Sequence, residues 1–480
     1  MVKHRFHRPK VLITILALVL LVSLLLAACG PKTTTSTTTS TSSTTSTTTT
    51  STSTTTTTAT TSAQKVLKIG SVIPLQGAKG LQTKKWYDLF AKLINNSGGW
   101  KIGNDTYQVQ MIIYDSQGDV TKAKDSLTRL VLQDGCKFIL GGWSVTGSAD
   151  VDCTVTEPNK VIVISEDLTN QGVVPKYNYY FSYGNYWQNA DVYKMCSDMV
   201  KKGIKSYVSV KPDNQVGQVM DPAISAAWKQ ASPTIDKKAV VFVPTSTVDW
   251  GPIATKIKSY NADCVDLIYL GFIEGSVPNI YRALSDVGYR GIILPGLMSQ
   301  PVLDALVTTV GKAAVEGGEC ASADPYTWQT GDQKALMDSY VKEYGKWEQD
   351  GSPRIFQMLQ SIINATQSVD PDVIKNYMDN SPAPMPTNQG TQMWVARPDL
   401  GQNFTVSGIS SGRLGLIVDG KLIGGALTTN KDHYLYTIKQ YNTLDAWKAW
   451  WAEYGYPNFP ADEKGLETFK YSDLGITGQD

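Results

Sequence analysis

Histidine is almost missing from this chain: there are three in 480 residues, His4, His7 and His433. A metal site built from several imidazoles is excluded, and hydrolase chemistry that needs a histidine base would rest on His433 alone. None of the six cysteines stands in a CxxC arrangement, which argues against a zinc or thioredoxin-type site. P-loop, Rossmann fingerprint and metal-ligand cluster are all lacking, so no cofactor and no metal is implied. Charge is nearly balanced, with 44 Lys and Arg against 43 Asp and Glu, and the body of the chain has no basic run. Nucleic acid is therefore not an expected partner.

The chain itself begins with one long apolar run. MVKHRFHRPK carries Lys3, Arg5, Arg8 and Lys10 and no acid, and residues 11–28 are nearly pure Leu, Ile, Val and Ala. This is the pattern of an export signal; an uncleaved anchor helix is the alternative, because the run is close to transmembrane length. Leu26-Ala27-Ala28-Cys29 resembles the lipobox of bacterial lipoproteins. That resemblance implies a signal peptide over residues 1–28 and a Cys29 acylated with diacylglycerol. The protein would then be extracytoplasmic, anchored to the cell membrane by that lipid. Residues 31–64 are almost entirely Thr and Ser; such a tract has nothing to bury and stays disordered. Residues 29–64 thus read as a lipidated cysteine and a tether with a reach of roughly 30–35 Å.

Loss of the signal removes four basic residues and two histidines and leaves a slight excess of acid. Cys136, Cys153, Cys196, Cys264 and Cys320 remain, an odd set in a compartment where disulfides persist. Cys136 opens a strand and Cys153 closes the helix after it, ends that lie close in a βα unit. A disulfide between them and two buried free thiols are equally open.

From Lys65 onward, short β-rich runs alternate with amphipathic stretches. VLKIGSVIPL, YQVQMIIYD, CKFILGG, VIVISED, KSYVSV, KKAVVFV, CVDLIYLG and RGIILPG read as strands. LQTKKWYDLFAKLINNSGG and VTKAKDSLTRLVLQDG read as helices stopped by glycine. The alternation predicts βαβ units and parallel sheets, and the near-continuous apolar strands predict sheets covered on both faces. In open sheets of this kind ligands sit beyond the carboxyl ends of the strands, where loops lead into helix N-termini.

The succession of LKIGSVIPLQG, VQMIIYDSQGDVTKAKDSLTRLVLQDGCKFILGG, VIVISEDLTNQ, DLIYLGFIEGSVPNIYRALSDVGYRGIILPG and RIFQMLQSIINATQSVDPDVIKNYMDN resembles the substrate-binding proteins of ABC importers of the branched-chain amino acid type. The resemblance runs over residues 66–425. It implies an α/β fold of two doubly wound parallel-sheet lobes with the ligand cleft between them, the type I periplasmic binding fold. Three hinge crossings are expected near residues 183–186, 321–326 and 384–389. Residues 65–185 and 321–385 would form lobe I. Residues 186–320 and 386–480 would form lobe II and an aromatic-rich C-terminal extension. A monomer without enzymatic activity is implied, with a small-molecule solute and an ABC transporter permease as partners.

The same resemblance assigns positions. Ser144, with Thr146 beside it, matches a hydroxyl that binds the ligand carboxylate; plain helix capping is the alternative. Trp143 either stacks on a ligand or wedges the turn. Leu168 and Thr169 match a turn that reaches the ligand, and Gln76 and Gly77 match a loop lining the cleft. Glu166 and Asp167 do not match: as two carboxylates at the rim they would repel an anion and favour a cationic or neutral group, while the preferred reading is that they are solvated turn residues. Val216 stands where many relatives have an aromatic, and Phe272 where relatives lay an aromatic over the ligand.

Amino-acid binders of the family carry a Glu after the RGIILPG strand, where this chain reads Pro295-Gly296-Leu297-Met298-Ser299. An ammonium buried without a carboxylate costs several kcal/mol. Unless Glu274 substitutes, the solute is then not an α-amino acid. Among amino-acid-like, amide and aromatic carboxylate solutes, the last two suit Trp143, Phe272, Tyr326 and Trp328 better. Arg354, ahead of IFQMLQSIINA, is read as a surface residue rather than the partner of such a carboxylate.

Two other outputs stay open. The same lobes suit a ligand-sensing receptor ectodomain. Gly408-Ile409-Ser410-Ser411-Gly412 spells G-x-S-x-G, which in a serine hydrolase needs a strand before it and a helix after it. The next residues, RLGLIVDGKLIGGAL, read instead as a β-hairpin turning at Asp419-Gly420. The tail with Trp447, Trp450 and Trp451 reads as a packing element.

Overall fold

The computed structural model describes residues 65–141, 149–166, 177–182, 187–270, 275–296, 298–320, 324–348, 353–380, 384–388, 390–397, 402–409 and 412–428, with 445, 448–449, 452 and 462–468 beyond them. Cys29, the Thr/Ser tract, Ser410, His433 and the three tail tryptophans lie outside the described residues.

The first half contributes β1 (Lys65–Ile73), β2 (Trp100–Ile102), β3 (Asp105–Asp115), β4 (Phe138–Gly141), β5 (Ile162–Ser165) and β6 (Tyr180–Ser182). Its helices are α1 (Ala78–Asn96), α2 (Val120–Leu132) and α3 (Ala149–Thr156). Next come α4 (Trp187–Lys201), β7 (Ser206–Pro212), α5 (Gln215–Ala231), β8 (Asp236–Val243) and α6 (Gly251–Ser259). They are followed by β9 (Cys264–Asp266), α7 (Ser276–Asp286), β10 (Ile292–Leu294), α8 (Gln300–Val310) and β11 (Glu319–Cys320). Then run α9 (Gly331–Tyr344), α10 (Arg354–Thr366) and α11 (Pro371–Asn380). The strands β12 (Pro384–Thr387), β13 (Gly390–Arg397), β14 (Gln402–Ile409), β15 (Gly412–Val418) and β16 (Lys421–Thr428) follow, with a last short helix, α12 (Glu463–Thr468).

Side-chain alternation decides how the first sheet is covered. Its strands lie in the order β2-β3-β1-β4-β5-β6. Leu67, Ile69, Phe138, Leu140, Ile162 and Ile164 face one side, where they meet Trp86, Tyr87 and Phe90 of α1 and Phe356, Leu359 and Ile363 of α10. The intervening Val72, Ile139 and Val163 face the other side, against Leu127 and Leu130 of α2. Both faces are thus buried, as near-continuous apolar strands require.

The second sheet, β10-β9-β7-β8, is parallel throughout. Val208, Val210 and Val265 pack on α6, α7 and α8 through Ile257, Ile280 and Leu306. Tyr207 and Cys264 turn the other way, onto Met195 and Met199 of α4 and Trp228 of α5. Late segments return to earlier cores. Met337, Phe356, Met378 and Met385 complete the first, while Leu414, Ile417 and Leu422 complete the second.

Some expectations need correction. The first sheet is mixed, because β2 runs antiparallel to β3. CVDLIYLG forms a ladder only over Cys264–Asp266. Two further three-stranded antiparallel sheets, β11-β15-β16 and β12-β13-β14, are present, of which only the β15–β16 hairpin was expected. In that hairpin β15 and β16 pair antiparallel around Asp419 (φ 51°) and Gly420 (φ 71°), the left-handed pair a two-residue type I′ turn requires. The first described element after Gly408 and Ile409 is the strand Gly412–Val418, not the helix a nucleophile elbow requires.

Cys136 and Cys153 carry free thiols and form no disulfide. Both are buried in the apolar layer with Leu130 and Val163. Burial, with the nearby Asp134 charge adding to it, pushes the Cys136 thiol up to about 12. Burial raises Cys153 as well. Nucleophilic thiolate is thus withheld from solution. Folded protein treated with iodoacetamide at pH 8 is expected to stay unlabelled at both residues while urea-unfolded protein labels fully. Mass mapping that finds either one alkylated in the fold, or the two linked, would contradict this arrangement.

Candidate functional site

Parallel register brings the carboxyl ends of the first sheet to one edge. Ile73 lies level with Asp115, and Gly141, Ser165 and Ser182 lie level with one another. The chain leaves β1 through Pro74 and enters α1 within a few residues. Gly80 permits this, because a Cβ there would fall 1.8 Å from the Pro74 carbonyl oxygen. Gln76 and Gly77 stand at the head of α1. Gln76 Nε2 donates to Asp115 Oδ2 at 2.7 Å, and the other Asp115 oxygen accepts the Leu75 and Gln117 amides. Gly77 is the N-cap residue, in extended conformation and with no side-chain cap.

Glu166 continues the alternation of Ile162 and Ile164, so its side chain enters the layer between the sheet and α1 and α10. Arg354 Nε donates to Glu166 Oε1 at 3.1 Å, and Lys79 Nζ lies 3.6 Å from the other oxygen. The Glu166 and Arg354 side chains are only 3% and 9% exposed. Two expectations are thereby corrected: Glu166 is not a solvated turn residue and Arg354 is not on the surface. Tyr87 is buried in the same layer; burial, and then the Glu166 charge, push its phenol well above the usual range. Two cations beside one carboxylate also mean that Glu166 does not repel an anion from this edge.

The second sheet has a corresponding edge. Asn214 caps α5 by accepting the Gly217 amide at 3.2 Å, and a Cβ on Gly217 would fall 1.9 Å from the Pro212 oxygen. Val216 is buried in the core with Met220 and Ile224, and Met298 with Leu303 and Leu306. The side chains of both are taken up by core packing. Tyr326 is half-buried against the first core, stacked on Trp347 at 5.0 Å and donating to Asp338 at 2.8 Å. Trp143, Ser144, Thr146, Leu168, Thr169, Phe272, Glu274 and Leu297 lie outside the described residues, as does Asp167.

A feature not anticipated sits beneath this second edge. Lys211 Nζ lies 3.0 Å from Asp266 Oδ1, and both side chains are 0% exposed. Trp228 Nε1 donates to Asp266 Oδ2 at 3.2 Å. A charge at the end of each of two apolar strands, VSVKP and CVD, was the available signal. Among the described residues no group of three or more His, Cys, Asp or Glu is placed to hold a metal.

The family described as periplasmic binding protein matches residues 66–376. The chain belongs to the periplasmic binding protein family. This is a family of solute-binding proteins rather than enzymes. Solved structures agree on the type I fold of such binding proteins. A leucine-binding protein of Thermotoga maritima is similar at TM-score 0.59 and 17% identity, over 76% of this chain and 100% of that one. An ABC transporter solute-binding protein of Rhodopseudomonas palustris, in complex with 3,4-dihydroxybenzoic acid, is similar at TM-score 0.59 and 15% identity, over 76% and 98%. The substrate-binding protein of a Streptococcus pneumoniae branched-chain amino acid transporter, in complex with isoleucine, gives 0.58 and 17%, over 76% and 99%. The family match begins at the expected residue, 66, and ends before the expected 425.

Proposed function

We propose that the protein is an extracytoplasmic solute-binding lipoprotein, tethered through Cys29, that captures a small molecule between two lobes and delivers it to an ABC importer permease. The observation that carries this reading is the pair of separately cored α/β sheets, each with a polar edge at its carboxyl strand ends, in a chain of the periplasmic binding protein family. The lobes are residues 65–185 with 321–385, and 186–320 with 386–480. The return of α9, α10, α11 and Met385 to the first core, and of Leu414, Ile417 and Leu422 to the second, supports that division. Crossings near 183–186, 321–326 and 384–389 would act as hinges on which the lobes close.

For the solute, an amide or an aromatic carboxylate is the reading the residues favour over an α-amino acid. The loop after β10 carries no acid to pair with an ammonium. In the first sheet the Glu166 charge is already offset by Arg354 and Lys79. The Rhodopseudomonas palustris and Streptococcus pneumoniae complexes mark the two sides of this choice.

Thermal unfolding of purified protein with 3,4-dihydroxybenzoate, benzamide or isoleucine tests it. A ligand at a hundred times its dissociation constant adds about 2.7 kcal/mol. Stabilisation by the benzoate or benzamide is expected. Stabilisation by isoleucine alone would overturn the solute class, and turnover of any ligand would overturn the binding role.

A further inference from the structure

A fully buried ion pair is a poor way to fill a core, since apolar residues of equal volume serve as well or better. Lys211 and Asp266 therefore invite the question of what their charges fix. Lys211 stands near the end of β7 and Asp266 at the end of β9. Beyond its contact with Lys211, the Asp266 carboxylate accepts the Ile268 amide at 2.8 Å and the Trp228 indole at 3.2 Å. It is thus held by two side chains and binds the backbone of the segment leaving β9.

That segment is unusual in two ways. Tyr269 has φ 71°, a left-handed backbone that a bulky residue seldom adopts and that its surroundings must enforce. The exit from β10 is seated on the residue before it: at Gly296, φ 76°, a Cβ would lie 2.5 Å from Ile268 Cα. Ends of β7, β9 and β10 thereby share one fixing point, the Ile268 amide on Asp266.

We infer that Lys211, Asp266 and Trp228 are positioning residues that hold the carboxyl edge of the second sheet in its solute-competent shape without touching solute. The assignment of that edge to solute rests on the proposed function; the fixing of the backbone does not. Hydrogen exchange with mass spectrometry on the full chain tests the inference. Wild-type amides of residues 267–270 should exchange as slowly as those of β7. In the double variant Lys211→Met with Asp266→Leu, no charge is stranded, and the urea midpoint should fall less than in Lys211→Met alone. Residues 267–270 should nevertheless exchange at least 100-fold faster there, with β7 unchanged.

Trp228→Phe keeps a ring against Tyr207 and removes one anchor of Asp266, so about tenfold faster exchange in the same segment is expected. If the wild type binds 3,4-dihydroxybenzoate, the double variant should bind it at least tenfold more weakly. Wild-type rates at 267–270 in both variants would overturn the inference, as would exchange in the wild type as fast as at the Asp213-Asn214 turn. Because exchange is read without solute, a wild type that binds no tested ligand counts against the proposed function alone.

Discussion

Lys211→Met alone should lower stability by about 3–5 kcal/mol, read as a reduced urea midpoint with an unchanged slope. Methionine replaces most of the lysine stem, so packing changes little and the loss is electrostatic. Asp266 would keep its bonds to Trp228 and the Ile268 amide but lose its cation at a site with no access to water. An uncompensated buried charge is among the few causes of so large a single-residue effect. The apolar double variant should regain most of that loss, because neither charge then remains. A single variant within about 1 kcal/mol of wild type would mean that the ion pair is not what holds this part of the core together.

Gly217→Ala and Gly80→Ala should each cost about 3 kcal/mol or more, at or beyond the upper end of ordinary overpacking. At these positions the added methyl meets a backbone oxygen, Pro212 at 1.9 Å or Pro74 at 1.8 Å, and not the end of a flexible side chain. Relief therefore requires the start of α5 or α1 to swing away from the strand before it. Gly77→Ala is the control. Nothing lies within 4 Å of its Cβ position and its φ is −96°, so a change within about 0.5 kcal/mol is expected. Urea titration of the three variants checks the contrast. Near-wild-type midpoints for Gly217→Ala and Gly80→Ala would show that those turns are looser than the proline carbonyls imply.

Much of the fold was legible because its signal is local. The near-continuous apolar runs of β1, β4 and β5, glycine stops after α1 and α2, and the Asp419-Gly420 hairpin are each written within a dozen residues. The pairing of β11 with β15 is not, since nothing near Glu319 and Cys320 specifies strands about a hundred residues later. CVDLIYLG misled because an apolar run looks like one strand, while the Asp266 carboxylate takes the Ile268 amide and the chain turns at Tyr269. Gln76 and Gly77 lie in the short link between β1 and α1, which the sequence pattern also showed. Val216 and Met298 show what sequence cannot settle: an apolar residue beside a rim can point either way, and in the fold both side chains pack into the core. Glu166 was misread because its partner Arg354 lies 188 residues away.

The interleaving of the two cores bears on when the chain can fold. The first draws on residues from Leu67 to Met385 and the second on residues from Val192 to Leu422. A nascent chain that has just emerged through Cys320 has made most of the strands of both sheets, yet it still lacks α9, α10 and α11 for one and the β15–β16 hairpin for the other. Closure must wait for contacts of large sequence separation, which slows folding and prolongs the exposure of apolar strands. Late closure of this kind keeps a polypeptide threadable, and a chain that has to cross a membrane before it folds depends on that delay.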